Sequence, residues 1–322
     1  MEIFLSIIIL IISFGLIIYG GDKFVDSAVG IAKKIKIPTA IIGATLVSIG
    51  TTIPELLVTI FSGSSEASGL AVGNAIGSII FNTCLIGGIL LVCIRLTIQK
   101  NVFPAFMLLI FSVAITGVMS VNQRIALAES FILLILFIIF AIINFVSAKR
   151  TPQVNIQSAE KERPIWFFVL MFVISAAMIG TGAYFMVEKA KFLAQMAGVS
   201  DTIIGLTIVS FGTSLPELIT MISSLRKKEA GLGLGNIVGS NIINCTLLIG
   251  ITGLFNASEG LPISKDTLFV SLPVAILTTL ILLLPTIIKK RTYKWQGISL
   301  ISAYALYYVF LILNAFGVIV FA

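Results

Sequence analysis

The chain has 322 residues, of which 58% are hydrophobic and 11% charged, with a formal charge of +7 and no histidine. A water-soluble domain of this length lacks the polar surface to cover so much apolar side chain, so lipid is the expected solvent. The missing histidines exclude imidazole proton relays, and the basic residues sit in short clusters between apolar runs, which argues against nucleic acid as a partner.

Ten apolar runs long enough to cross a bilayer are predicted, at roughly 3–30, 39–63, 69–94, 102–120, 127–147, 165–192, 202–225, 231–254, 267–288 and 297–320. The opening MEIFLSIIIL carries an acid and no basic cluster, so it reads as a first membrane helix, not a cleaved signal. The first and sixth runs are long and turn amphipathic toward their ends, and are expected to tilt or protrude. The second and seventh hold Pro54 and Pro216 in mid-span. A polar stretch at 147–164 divides the chain, giving an expected first half 1–147, a linker 148–164 and a second half 165–322. Lys33, Lys34, Lys36, Arg95, Lys100, Lys149, Arg150, Lys161, Arg163, Arg226, Lys227, Lys228, Lys289, Lys290, Arg291 and Lys294 fall on one side of these spans. Basic loops stay in the cytoplasm. Both termini are therefore expected outside a cell membrane crossed many times, with the linker inside. Trp166 and Trp295 read as interfacial anchors. Cys84, Cys93 and Cys245 form no CxxC pair and are expected to be buried packing residues. Asp22, Lys23, Asp26, Glu188 and Lys189 either guard an entrance or form interfacial ion pairs; the second is the expectation.

The chain repeats itself. At an offset of 162 positions, IIGATLVSIGTTIPELLVTIFS (41–62) lies on IIGLTIVSFGTSLPELITMISS (203–224) with thirteen of twenty-two residues identical. At the same offset GLAVGNAIGSIIFNTCL (69–85) lies on GLGLGNIVGSNIINCTL (231–247). Polar and helix-breaking residues match best, which a duplicated packing scaffold would not produce. Each half supplies five predicted spans, an odd number, so the second half is expected to enter the membrane upside down.

Ser48, Thr51, Thr52 and Glu55 are spaced i, i+3, i+4, i+7 and share one helical face, as do Ser210, Thr213, Ser214 and Glu217. Ser78 and Asn82 are i, i+4 neighbours, and so are Ser240 and Asn244. Pro54 and Pro216 each remove an amide donor and crowd the carbonyls of Gly50 and Gly212, freeing nearby carbonyls around Ser48–Thr51 and Ser210–Thr213. Within a bilayer such carbonyls are tolerated where they line a site. Gly73, Gly77, Gly235 and Gly239 are expected to bring the third and eighth spans against the second and seventh. Intramembrane carboxylates are functional by default. Two of them surrounded by hydroxyls, amides and carbonyls make an all-oxygen cage suited to Ca2+ and Na+, and the absence of imidazole and thiolate ligands argues against zinc or copper. The alternative is a pair of structural glutamates hydrogen-bonded within the bundle. Neither an HExxH motif nor a Ser-His or Ser-Lys dyad at depth is present, so no enzyme activity is expected.

The strings GTTIPELL with GNAIGSIIFN, and GTSLPELI with GNIVGSNIIN, resemble the two alpha-repeats of the Ca2+/cation antiporter superfamily, specifically its prokaryotic Na+/Ca2+ exchangers. The resemblance covers essentially the whole chain. It implies an all-α membrane protein of ten transmembrane helices in two inverted five-helix repeats, exchanging Na+ for Ca2+ by alternating access. It implies no cofactor, the lipid bilayer and the transported Na+ and Ca2+ as partners, and a monomer sufficient for transport. Glu55 and Glu217 would be the shared ion ligands, joined at the Ca2+ position by Thr51 and Thr213. Ser48 and Ser210 (through their carbonyls), Thr52, Ser78, Ser214 and Ser240 would line flanking Na+ positions, with Asn82 and Asn244 in the centre. Some members carry Asp where this chain has Asn244, so here two acids, not three, are supplied. A cation/H+ antiporter using the same glutamates is the alternative, and a channel is the rival from another class.

Overall fold

The computed structural model describes residues 2–63, 68–150, 163–196 and 210–315; the linker tract 151–162 lies outside them. Fifteen α-helical stretches are described there. They are α1 (Glu2–Ile35), α2 (Thr39–Ile42), α3 (Ser48–Thr51), α4 (Ile53–Gly63), α5 (Ser68–Ile80), α6 (Gly87–Cys93), α7 (Phe103–Met119), α8 (Leu127–Arg150), α9 (Ile165–Met196), α10 (Ser210–Thr213), α11 (Leu215–Arg226), α12 (Ala230–Ile242), α13 (Ile249–Phe255), α14 (Leu272–Lys289) and α15 (Lys294–Ala315). A two-residue antiparallel ribbon, β1 (Arg124–Ile125) and β2 (Leu261–Pro262), sets Arg124 opposite Pro262 and Ile125 opposite Leu261.

Among the described residues, eight helices are long and apolar enough to cross a membrane: Glu2–Ile35, Ala71–Cys93, Lys100–Asn122, Leu127–Ala148, Ile165–Lys189, Ala230–Phe255, Thr267–Lys289 and Lys294–Asn314. The two proline-bearing runs are not among them. The run expected as one helix at 39–63 is interrupted. A π-helical turn, Gly43–Val47, separates α2 from α3, and Thr52, with φ −83° and ψ 5°, separates α3 from α4. Ser214 does the same between α10 and α11, with φ −91° and ψ 4°. Both breaks fall two residues before a proline. Pro54 and Pro216 thus occupy the first turn of a new helix, where a missing amide hydrogen leaves no bond unmade. The start of the other run, 202–209, lies outside the described residues.

The distribution of polarity is turned outward relative to a soluble protein. On α8, Phe131, Ile135, Ile138, Ile142 and Phe145 are exposed at helical spacing, an apolar stripe suited to lipid. Inside, buried hydroxyls, amides and two carboxylates sit among the apolar core residues. α1 and α9 pack along their length and run antiparallel. Cβ atoms added to Gly20 and Gly182 would stand 3.0 Å from Ile179 and 2.8 Å from Ile17 respectively, and Phe24 stacks on Phe172 at 4.3 Å. Both pairs, Gly20 with Gly182 and Ile17 with Ile179, are repeat partners. Farther along, the halves interleave. Gly88 of α6 abuts Ile301 and the Gly297 carbonyl of α15, while its repeat partner Gly250 on α13 abuts Leu134 and the Ser130 carbonyl of α8.

Of the two uses weighed for the charges near the ends of the long helices, ion pairing is the one observed. Lys227 Nζ lies 2.7 Å from Asp26 and 3.8 Å from Asp22, Ser223 donates to Asp22 at 2.9 Å, and Glu188 pairs with Lys189 at 2.7 Å. Lys23 lies over the Tyr19 ring. Trp166 and Trp295 are exposed in the first turns of α9 and α15, as anchors require. One cysteine departs from expectation. Cys84 and Cys245 are buried, but Cys93 is exposed, because it ends α6 where the chain leaves the bundle.

Candidate cation site

Glu55 and Glu217 lie in the first turns of α4 and α11, and both are buried. A carboxylate there faces the amide-rich, electropositive end of a helix, which favours its charge. The α3 and α10 stretches end just before the same breaks, so their carbonyl ends approach the same region.

The hydroxyls around each glutamate come from both halves. Thr52 Oγ1, with one proton to give, lies 3.3 Å from Glu217 Oε1 and 3.1 Å from Ser240 Oγ, and Ser240 Oγ donates to Glu217 Oε1 at 3.3 Å. The repeat partner contacts reproduce the first two: Ser214 Oγ, also with one proton, lies 3.3 Å from Glu55 Oε1 and 3.1 Å from Ser78 Oγ. Thr52 reaches across to the second half's glutamate and Ser214 reaches back to the first's. Among the described residues, Oε2 of both glutamates has no hydrogen-bond partner, and neither amide atom of Asn82 or Asn244 has one, although all four side chains are buried. Buried, unpaired carboxylate and amide oxygens cost about 1–3 kcal/mol each unless something satisfies them, and a cation is what such acceptors satisfy. Asn82 and Asn244 sit in matching π-helical turns, Phe81–Ile86 and Ile243–Leu248. Such turns widen the helix by one residue and recur at functional sites.

Two expectations need correction. The Ser48 carbonyl is not freed by Pro54: it accepts Thr52 N at 3.0 Å, because the proline removes the donor opposite Gly50 and leaves the bond to Ser48 intact. The Ser48 hydroxyl turns back to Thr45 O at 3.0 Å. The glycines also divide. A Cβ on Gly239 would stand 2.5 Å from Ser48 Oγ and 2.6 Å from Ala44 O, and one on Gly235 would collide with Ala40 O, so α12 rests directly on the α2–α3 stretch. Gly73, the repeat partner of Gly235, is exposed, with nothing within 4 Å among the described residues; the run expected to cover it includes 202–209, which lie outside them. Ser210 starts α10, with its side chain outside the described set.

Sequence reasoning passed over Asn74 and Asn236. Thr51 Oγ1 donates to Asn236 Oδ1 at 3.1 Å and Thr213 Oγ1 to Asn74 Oδ1 at 3.2 Å. Their signal was present: each stands four residues before Ser78 or Ser240, on the same helical face, in the duplicated Gly-Asn dipeptide.

The family model for "Sodium/calcium exchanger protein" matches residues 5–146 and 167–313. The chain belongs to this family. Within it, the sodium/calcium exchanger MaX1 of Methanosarcina acetivorans is 32% identical over 95% of this chain and 98% of its own length. A membrane protein of Methanocaldococcus jannaschii, MJ0091, is 30% identical over 90% of this chain and 92% of its own. Solved structures of the sodium-calcium exchanger NCX_Mj, among them one soaked with Na+ and Sr2+, superpose with a TM-score of 0.83 at 29% identity, covering 94% of this chain and 98% of that one. Family membership makes the chain a multi-pass membrane transporter of the cation antiporter class, not an enzyme. The sodium/calcium exchanger family match runs through both copies of the motif and both glutamates.

Proposed function

We propose that this chain exchanges Na+ for Ca2+ across the cell membrane by alternating access, using one oxygen cage built around Glu55 and Glu217. The reciprocal bonding of Thr52 to Glu217 and Ser214 to Glu55 carries the reading. It joins both carboxylates to hydroxyls from both halves, so Na+ and Ca2+ compete for overlapping oxygens and occupancy by one excludes the other. Two buried carboxylates repel unless a cation lies between them, and hard oxygen donors suit these two ions. In this reading Thr51 and Thr213 join the glutamates at the Ca2+ position. The Ser48 and Ser210 carbonyls with Thr52, Ser78, Ser214 and Ser240 flank it for Na+, and Asn82 and Asn244 occupy the centre.

The proposed architecture is ten transmembrane helices in two five-helix repeats of opposite orientation, 1–147 and 165–322, joined by a cytoplasmic linker at 148–164 with both termini outside. The antiparallel packing of α1 on α9, each the first helix of its half, supports the inversion. A monomer contains the whole cage. α1 and α9 are the candidates to slide across the core and switch access; structures open to opposite sides that superpose at these two helices would sink that assignment.

The test is uptake of radiolabelled Ca2+ into proteoliposomes preloaded with Na+. Uptake is expected to follow the outward Na+ gradient and to fall at least about tenfold in Glu55→Gln and in Glu217→Gln, since each removes a ligand charge from a desolvated site. Uptake driven by a pH gradient and indifferent to Na+ would replace this function with cation/H+ antiport. Flux without any counter-ion would replace it with a channel.

A further inference from the structure

Thr51 and Thr213 stand at the closed ends of their short helices, and in each the hydroxyl proton is taken by an asparagine of the other half. A hydroxyl has one proton and two lone pairs, so the direction of that proton decides which neighbouring oxygens stay available to a cation. Within a helix the default acceptor is the carbonyl of the preceding turn. For Thr51 that is Ser48 O, at 3.4 Å, and Ser48 O already holds the amide of Thr52 at 3.0 Å. A second proton there would use both of its lone pairs. The shorter bond to Asn236, at 3.1 Å, draws the proton away and leaves one Ser48 lone pair free; the other neighbour, Ser240 Oγ, is at 3.5 Å. Asn236 and Asn74 are both buried, and among the described residues the amide nitrogen of each has no partner. The threonine-to-asparagine bond occurs once in each half.

We propose that Asn236 and Asn74 are positioning residues that steer the Thr51 and Thr213 protons, Asn236 thereby keeping the Ser48 carbonyl open to Na+, and so tune the preference of the site between Na+ and Ca2+. The assignment rests on the Na+/Ca2+ reading above, in which Ser48 O flanks the Na+ position while Ca2+ sits on the glutamates and the threonines. Thr51 keeps its lone pairs whichever way its proton points. Loss of the asparagine acceptor therefore acts on Na+ more than on Ca2+.

The experiment measures half-saturating Na+ from Na+/Ca2+ exchange and half-saturating Ca2+ from Ca2+/Ca2+ exchange without Na+, in proteoliposomes holding the full chain. Asn236→Leu keeps the size of the side chain and removes the acceptor. It is expected to raise the ratio of half-saturating Na+ to half-saturating Ca2+ about fivefold, the size of one net hydrogen bond. Asn236→Asp, which keeps an acceptor oxygen, is expected to bring the ratio back to or below that of the unmodified protein. In a Thr51→Val background Asn236→Leu is expected to add no further change, because no proton remains to steer. Asn74→Leu is the parallel variant in the other half, and it decides the matter if Asn236→Leu does not fold. Equal shifts in both ions, an unshifted ratio, or a shift that persists with Thr51→Val would overturn the positioning role. Absence of Na+-driven uptake in the unmodified protein would instead sink the exchange reading itself, so the two failures are distinguishable.

Discussion

Each glutamate keeps one oxygen tied to a hydroxyl from the other half and one unpaired among the described residues. Thr52→Val and Ser214→Ala each delete one hydroxyl that bonds the opposite carboxylate without adding bulk. Each is expected to raise half-saturating Ca2+ about fivefold, one net hydrogen bond, and the two effects should match within a factor of about two because the bonds are equal in length; titration of Ca2+ uptake in the two variants checks this. Helical spacing placed Ser48, Thr51, Thr52 and Glu55 on one face, and that was enough to find the glutamates and their hydroxyls. Spacing within one segment says nothing about which side chains meet from the other half. The Thr51 to Asn236 bond joins residues 185 positions apart and lay beyond such reasoning.

The two copies of the Gly-Asn-x-x-Gly-Ser stretch present the same residues to different surroundings. Gly235 and Gly239 hold α12 against Ala40, Ala44 and Ser48, whereas Gly73 is exposed. Gly235→Val is expected to cost about 1–3 kcal/mol by overpacking and to lower the melting temperature of the purified protein. Gly73→Val should leave that temperature unchanged. If access alternates as proposed, Gly73 must accept a neighbour in the opposite state, and Gly73→Val should fold normally yet exchange slowly; paired thermal-shift and uptake measurements read both outcomes. The long apolar helices were legible because hydropathy averaged over about twenty residues survives local irregularity. The breaks at Thr52 and Ser214 and the π-helical turns at 81–86 and 243–248 were not, since one unmade or shifted backbone bond leaves hydropathy untouched. Proline marked the place without saying whether the helix would kink or stop. Nor does sequence separate Gly73 from Gly235, whose difference belongs to the packing around them and not to the residues.

Over the whole molecule, the interleaving of α6 with α15 and α13 with α8 ties the halves together without help from the linker. Chains ending at 147 and beginning at 165, expressed together, are therefore expected to reassemble and recover Na+-driven Ca2+ uptake, while either alone should show none; uptake by one half alone would overturn the shared cage. The offset of 162 residues made the duplication plain from the start, and the odd number of predicted spans is the ground in the sequence for the inversion proposed above. The crossed bonds of Thr52 and Ser214 carry a historical consequence. One half owns a carboxylate but borrows one of the hydroxyls that hold it, so a single unduplicated copy is an incomplete binder. An ancestral gene of half this length could complete the cage only if its product inserted into the membrane in both orientations and paired with itself head to tail; duplication and fusion would then have frozen one orientation for each copy.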